Sequence, residues 1–415
     1  MKYSLLRKKN FSILVMSGFI SLIGTEMLNF SLSLYVLQIT HSATLFSTVL
    51  AISIIPTLAL GPFGGVIIDW VNPKKIIVLL DFCSGTIVLF FTLYFLKNNY
   101  LSITNTYIFT ILLSIISSVY TPTIGTIIPL IIKEDNLIDA NSLNRLFKNF
   151  TIFFSPILAG IIFGFYGLLI VLFIDCISFY LSGISEVFIS ISKSETKNII
   201  NFKSFFLNFY MGLKFIGNNN ILKIILIIGI IINFIYDPII NIGFIYICNT
   251  SLKLSDFYIG LLNSIIAISM ILSPFLCKSI LNKSSLIKIM LLDLFIIALC
   301  LSILGIILNI YSSDFPLISY ISLIIVGFIT VLISSVTSIA LTTTIQNATN
   351  KELLGRINSL FSTVLMSITP IGQILFGLLF NYLPDYLCIL IASSILLIMT
   401  ILVLSIIKLY KIKIH

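Results

Sequence analysis

Apolar runs long enough to cross a lipid bilayer follow one another along almost the whole chain, separated by short polar clusters. Breaking the sequence at those clusters gives twelve runs, over 11–37, 43–68, 75–97, 103–131, 142–164, 167–190, 221–248, 256–281, 286–309, 316–344, 357–380 and 386–408. A spanning helix needs about 20 apolar residues, and backbone in lipid must satisfy its own hydrogen bonds. The pattern therefore predicts an all-α integral membrane protein with twelve transmembrane helices. The longest polar stretch lies mid-chain and divides it into a six-helix bundle over 1–192, a linker over 193–220 and a second six-helix bundle over 221–415. Within the linker, Phe202, Phe205, Phe206, Phe209, Tyr210 and Leu213 recur at helical spacing, which predicts an amphipathic helix lying on the membrane surface.

Charge fixes the orientation. With both termini in the cytoplasm, 22 of the 24 Lys and Arg residues fall on the inner side, and only Lys97 and Lys253 fall outside. That bias is what the positive-inside rule demands, and an odd number of spans would scramble it. Composition agrees: 59% of the 415 residues are hydrophobic and 9% charged, against about 25% charged in soluble domains, and the mean hydropathy is +1.17. A net charge of +9 is thereby read as topology rather than nucleic-acid binding. The six cysteines show no CxxC spacing and read as core filler. With His41 and His415 the only histidines, a histidine metal site is not expected. The basic N-terminus followed by a long apolar run without a small-residue cleavage site reads as a retained first helix.

The halves repeat each other. Residues 61–81 lie over 273–293 without a gap, so that Pro62, Phe63 and Asp81 meet Pro274, Phe275 and Asp293 at an offset of 212. "SSVY" at 117–120 meets "SSVT" at 334–337, and "NSL" at 141–143 meets "NSL" at 358–360, both at 217. Two parallel six-helix repeats are an architecture of alternating-access transporters.

"GPFGGVIIDWVNPKK" (61–75) then resembles the loop 2–3 signature of the major facilitator superfamily, with Gly65, Asp69 and the pair Lys74 and Lys75 at the matching positions. Trp70 and Asn72-Pro73 depart from that pattern. "YTPTIGTIIPLIIKEDNLIDANSL" (120–143) is similar to the macrolide-efflux and siderophore-exporter branch, as are "LSLYVLQITHSATLF" (32–46), "FIDCISF" (173–179) and "GRINSLFS" (355–362). "SPILAG" (155–160) keeps Pro156 and Gly160 of the family's antiporter motif. The stretch 104–129 holds no Lys or Arg to play the fourth-helix arginine of many proton-coupled members. The resemblance implies a gate latch. Asp69 would dock on the start of the eleventh helix near Gly355-Arg356, where free N–H groups and the helix dipole attract a carboxylate, and would also meet Arg356.

Carboxylates inside an apolar span are costly and call for a reason. Glu26 and Asp237 occupy near-equivalent positions in the first helix of each half at the offset of 212. Asn29 and Ser33 follow Glu26 at helical spacing, and Asn233, Asp237 and Asn241 step by four along one stripe. In the family these two helices line the central cavity. The expectation is that Glu26 and Asp237 face that cavity, one carrying the proton and the other holding the substrate. A structural alternative bonds Asp237 to backbone freed by Pro238. Asp175 is a rival carrier, with a structural reading preferred. Asp81 and Asp293, near lysines at cytoplasmic helix ends, read as salt-bridged.

The reading is a secondary active efflux transporter, a proton-coupled antiporter of amphipathic, macrolide-like molecules. Two acids and no intramembrane cation tilt it toward neutral or cationic substrates and away from a siderophore or metabolite exporter. An importer, or a sensor on the same fold, are further alternatives. No HExxH or GxSxG motif supports an intramembrane enzyme. No cofactor or metal is expected beyond the coupling proton. The expected partners are a small-molecule substrate and membrane lipid, with no nucleic acid. The expected setting is a functional monomer crossing the bacterial cytoplasmic membrane many times.

Overall fold

The computed structural model describes residues 3–70, 72–133, 136–191, 217, 219–281, 286–311, 315–348 and 351–409. The amphipathic segment expected at 202–213 lies outside them. All the described regular structure is helical, which meets the condition lipid imposes on backbone polar groups.

In the first half α1 is Lys9–Thr40, α2 Ala43–Trp70, α3 Pro73–Asn98 and α4 Ile103–Ile131. The next helix, Leu137–Val187, is interrupted at Gly167, whose φ of 73° and ψ of −177° only glycine adopts without strain. Its arms before and after Gly167 are α5 and α6. In the second half α7 runs from Asn220 to Ser251, α8 is Asp256–Leu281, α9 Leu286–Tyr311, α10 Pro316–Ala348, α11 Lys351–Tyr382 and α12 Asp385–Leu409. By length and apolarity eleven described helices can cross a membrane, one of them the interrupted pair. Counting its two arms separately gives the twelve expected spans.

Sequence explains the ends. Asn72 accepts from the Lys74 N–H and Pro73 opens α3, where its missing N–H is harmless. Ser102 caps α4 through the Asn105 N–H, and Asn219 caps α7 through Ile221 and Leu222. The main revision is α11. It is already helical at Lys351, ahead of Gly355-Arg356.

The chain forms two compact units, residues 1–36 with 52–205, and residues 37–51 with 206–415. In the first unit α3 packs on α4 and against the α5–α6 pair; in the second α9 packs on α10 and α12. The same helix order thus recurs, as the internal repeat requires. The first unit closes at the end where α1 and α3 begin with an apolar cluster that includes Phe11, Leu14, Ile77, Ile127, Leu143 and Ile189.

The turn between α1 and α2 belongs to the second unit. Gln38 Nε2 donates to Asp256 Oδ2 of α8 at 2.7 Å. Thr44 Oγ1 donates to the Gly377 carbonyl of α11 at 3.1 Å. A β-carbon at residue 377 would stand 2.0 Å from Ser47 Oγ and 3.0 Å from the Ala43 carbonyl oxygen, so only glycine permits this seat. Of the described cysteines, Cys176, Cys248 and Cys388 are buried as expected, Cys300 is half-buried and Cys83 is exposed.

Candidate functional site

Each half carries buried polar groups set among apolar helices, and each is described separately.

In the first unit, α1 presents Glu26, half-buried, and Asn29, whose carbonyl accepts from Ser33 Oγ at 2.8 Å. Glu26 lies within electrostatic reach of Lys148 on α5. Lys148 also lines a cavity of about 130 Å³ bounded by α1, α3, α4 and α5. Lys148 is itself exposed, on the part of α5 that precedes the membrane-crossing stretch Phe154–Val187. Lys148 lies within the predicted fifth span, and its long stem lets the ammonium reach out of the helix packing.

Asp81 lines the same cavity from α3, together with Ser21, Ser84, Ser117 and Tyr120. It is 2% exposed, and its Oδ2 has no hydrogen-bond partner. This overturns the salt-bridged reading, because the carboxyl sits among hydroxyls and apolar groups more than two turns inside the helix. Asp293, its repeat counterpart on α9, is 0% exposed. Its partner is the Ser334 hydroxyl of α10, donating to Oδ1 at 3.1 Å, with Thr337 beside it. Ser117 and Tyr120 are the positions that Ser334 and Thr337 repeat. The sequence duplication thus gathers the same positions around one aspartate in each half.

Asp175 is fully buried on α6. Ser178 Oγ donates to its Oδ1 at 3.3 Å, and Oδ2 has no partner. A β-carbon at Gly24 of α1 would fall 2.3 Å from Asp175 Oδ1 and 2.4 Å from Ser178 Oγ. The acid is thus packed directly on the backbone of α1.

Glu186, near the end of α6, went unrecognised in the sequence because it falls at the border of a predicted span. It too is fully buried. Its Oε1 accepts from Ser17 Oγ at 3.2 Å and from Tyr120 OH at 3.0 Å, and its Oε2 has no partner. The signal available was a Glu following an apolar run with no lysine within a helical turn.

In the second unit, α7 is not a regular α-helix. Ile232–Tyr236, Ile239–Gly243 and Ile247–Ser251 are π-helical, a geometry frequent at functional sites. The Asp237 N–H reaches the Ile232 carbonyl. Asn241 Nδ2 donates to Asp237 Oδ1 at 2.9 Å and to its carbonyl at 3.1 Å. Asp237 and Asn241 of the expected stripe are therefore joined, and the carboxyl is held by a side chain rather than by backbone freed at Pro238. Asn233 instead turns back to the Gly229 carbonyl at 2.9 Å. Gly372 of α11 admits this segment closely, since a β-carbon there would lie 2.3 Å from the Phe234 carbonyl oxygen. Glu26 belongs to one unit and Asp237 to the other.

Pro156 and Gly160 lie on α5, where Ser155 Oγ donates to the Ile23 carbonyl of α1 at 3.4 Å and Ala159 is fully buried. The small residues of this motif thus let α5 approach α1. Of the latch residues, Lys74 is half-buried and Lys75 exposed at the start of α3. Gly65 and Asp69 lie in α2 and Arg356 in α11, and their side chains fall outside the described set.

The sequence profile described as Major Facilitator Superfamily matches residues 14–373. Macrolide efflux protein A of Streptococcus pyogenes is 23% identical over 362 residues, 86% of each chain. A bacterial homologue of the iron transporter ferroportin, crystallised in an inward-facing state, shares the fold with a TM-score of 0.71 at 17% identity, over 97% of this chain and 99% of that one. The POT family transporter PepTSo does so with a TM-score of 0.73 at 11% identity, over 98% and 99%.

Proposed function

Because the chain belongs to the major facilitator superfamily, and is thus a transporter, we propose that it exports amphipathic small molecules of the macrolide type in exchange for protons. The observation that carries this reading is the likeness to macrolide efflux protein A over 86% of both chains. The proton enters the argument through Glu26 and Asp237, near-equivalent acids on the first helix of each half. Asp237 is already engaged by Asn241. That leaves Glu26, next to Lys148, as the proton carrier, and the Asp237–Asn241 pair as the polar contact for substrate.

Energetics permit the exchange. A hundredfold drug gradient requires about 2.7 kcal/mol, and one charge falling through about 120 mV supplies about 2.8 kcal/mol. The substrate class rests on the likeness. The cavity of about 130 Å³ that Lys148 lines is far below the roughly 300 Å³ of a small drug site and is not where a macrolide sits. In this reading the chain crosses a bacterial plasma membrane with both termini on the cytoplasmic side, an orientation that the lysine bias supports.

Inside-out vesicles with an acidic interior test the proposal. Adding macrolides and lipophilic cations should release protons, read by a pH dye, only in vesicles that contain the protein. The absence of release for every compound of the panel would count against proton-driven drug export.

A further inference from the structure

Three buried carboxyls of the first unit lack a partner on one oxygen: Asp81 Oδ2, Asp175 Oδ2 and Glu186 Oε2. Asp81 and Tyr120 line one cavity, and Tyr120 donates to Glu186. Ionised carboxylates withheld from water need a positive partner. One of these oxygens, Asp81 Oδ2, belongs to a residue that opens on the cavity of about 130 Å³.

The fold does not itself demand this charge. The second half builds the same aspartate-and-hydroxyl cluster around Asp293. Its α12, however, carries one acid only, Asp385 at its first residue. At the offset of 217, Asp175 and Glu186 fall on Ala392 and Val403, both buried. Apolar side chains thus fill these places in one repeat, and carboxyls fill them in the other.

The cavity's size and chemistry restrict what the carboxyl meets. At about 130 Å³ it exceeds what one water needs and takes several waters or one partly hydrated ion. Ser21, Ser84, Ser117, Tyr120, Thr121 and Asp81 offer it oxygen atoms, a donor set suited to hard cations. Tyr120 donates its proton to Glu186 and accepts from the Ser21 hydroxyl, which leaves one lone pair of its oxygen for an ion. A single lining carboxylate, with Lys148 also in the lining, favours one positive charge over two. Among the described residues, the titratable groups around Asp81 are Tyr120 from α4, Lys148 from α5, and Asp175 and Glu186 from α6, while α1 presents the hydroxyls of Ser17 and Ser21.

We propose that Asp81, Tyr120 and Glu186 form a monovalent-cation site inside the first bundle, taking a sodium ion or a proton. It deepens the reading of cation-coupled transport, but as a binding site it can be measured without transport.

The test uses the full chain in nanodiscs and follows its unfolding midpoint. If the ion is sodium, NaCl raises the midpoint over equal choline chloride, by about 5 °C near a hundredfold excess over the dissociation constant. Asp81→Asn abolishes that rise and Tyr120→Phe reduces it. If the ion is a proton, sodium has no effect. A group that binds its proton more tightly in the folded state stabilises at low pH and loses that effect as pH rises. The wild-type midpoint then falls between mildly acidic and mildly alkaline pH, and Asp81→Asn flattens the fall. Tyr120→Phe and Glu186→Gln decide the matter should Asp81→Asn fail to fold. Sodium and pH responses identical in wild type and all folded variants would overturn the proposal. Loss of proton-driven export with an intact binding response would overturn the transport reading alone.

Discussion

Ser334 on α10 donates a 3.1 Å hydrogen bond to Asp293 on α9, and the two are repeat counterparts of Ser117 and Asp81, which share a cavity in the other half. The bond joins two neighbouring helices through a fully buried acid. Ser334→Ala leaves a buried acceptor without its donor, at a cost of about 1–3 kcal/mol. The unfolding midpoint of the purified protein should drop by several degrees. An unchanged midpoint would mean that Thr337 takes over the bond.

Gly24 marks the closest approach of α1 to α6, over Asp175 and Ser178. Gly24→Val drives a branched side chain into two fully or nearly buried polar groups. Overpacking of this kind costs about 1–3 kcal/mol, with the added loss of the Ser178–Asp175 bond. The expected result is low yield of folded protein and a lowered midpoint. Normal stability would require α1 to shift freely, contrary to the packing described.

Gln38 and Asp256 tie the α1–α2 turn to α8. Alternating access requires ties between the first helices and those of the second half to open in each cycle. Take Gln38→Cys with Asp256→Cys, in a background where the exposed Cys83 is replaced by serine. Bridging the pair with a short bifunctional thiol reagent should stop transport almost completely, and reductant should restore it. Transport that continues through the bridge would show that this contact does not move.

Asp69 lies at the end of α2, and the family resemblance implies a latch role for it at the cytoplasmic gate, which we propose. Its expected target is the start of α11 near Gly355-Arg356, a segment that is already helical at Lys351. Asp69→Asn should reach the membrane in normal amount and transport several-fold more slowly. A helix-terminus contact of this kind is worth about 0.3–1 kcal/mol at exposed sites. Normal rates in vesicles matched for protein content would remove the latch.

The spans were legible because lipid imposes a single rule on backbone, and apolar length exposes it. Helices such as Ile103–Ile131 and Asp256–Leu281 begin and end where the pattern puts them. The helix 5–6 turn was legible in outline, since Gly167 stands at the start of the sixth apolar run. The duplication was legible too, but the meaning of its shared aspartates was not. Asp81 and Asp293 sit close in sequence to lysines that point elsewhere, and only packing shows that hydroxyls surround them. Lys148, legible as a topology marker, also lines a cavity that only packing shows. Glu186 carried no periodic signal, because its partners Ser17 and Tyr120 come from distant helices. The irregular winding of α7 left one trace, Pro238, which stands between two of its π-helical turns.

The central claim is that protons drive export through Glu26. The most direct measurement compares wild type and Glu26→Gln in inside-out vesicles, following radiolabelled macrolide under an acid-inside gradient and, separately, its exchange with no gradient. The account predicts that the variant loses gradient-driven accumulation and keeps exchange. Gradient-driven accumulation at the wild-type level in the variant would contradict it and move the proton elsewhere in the bundle.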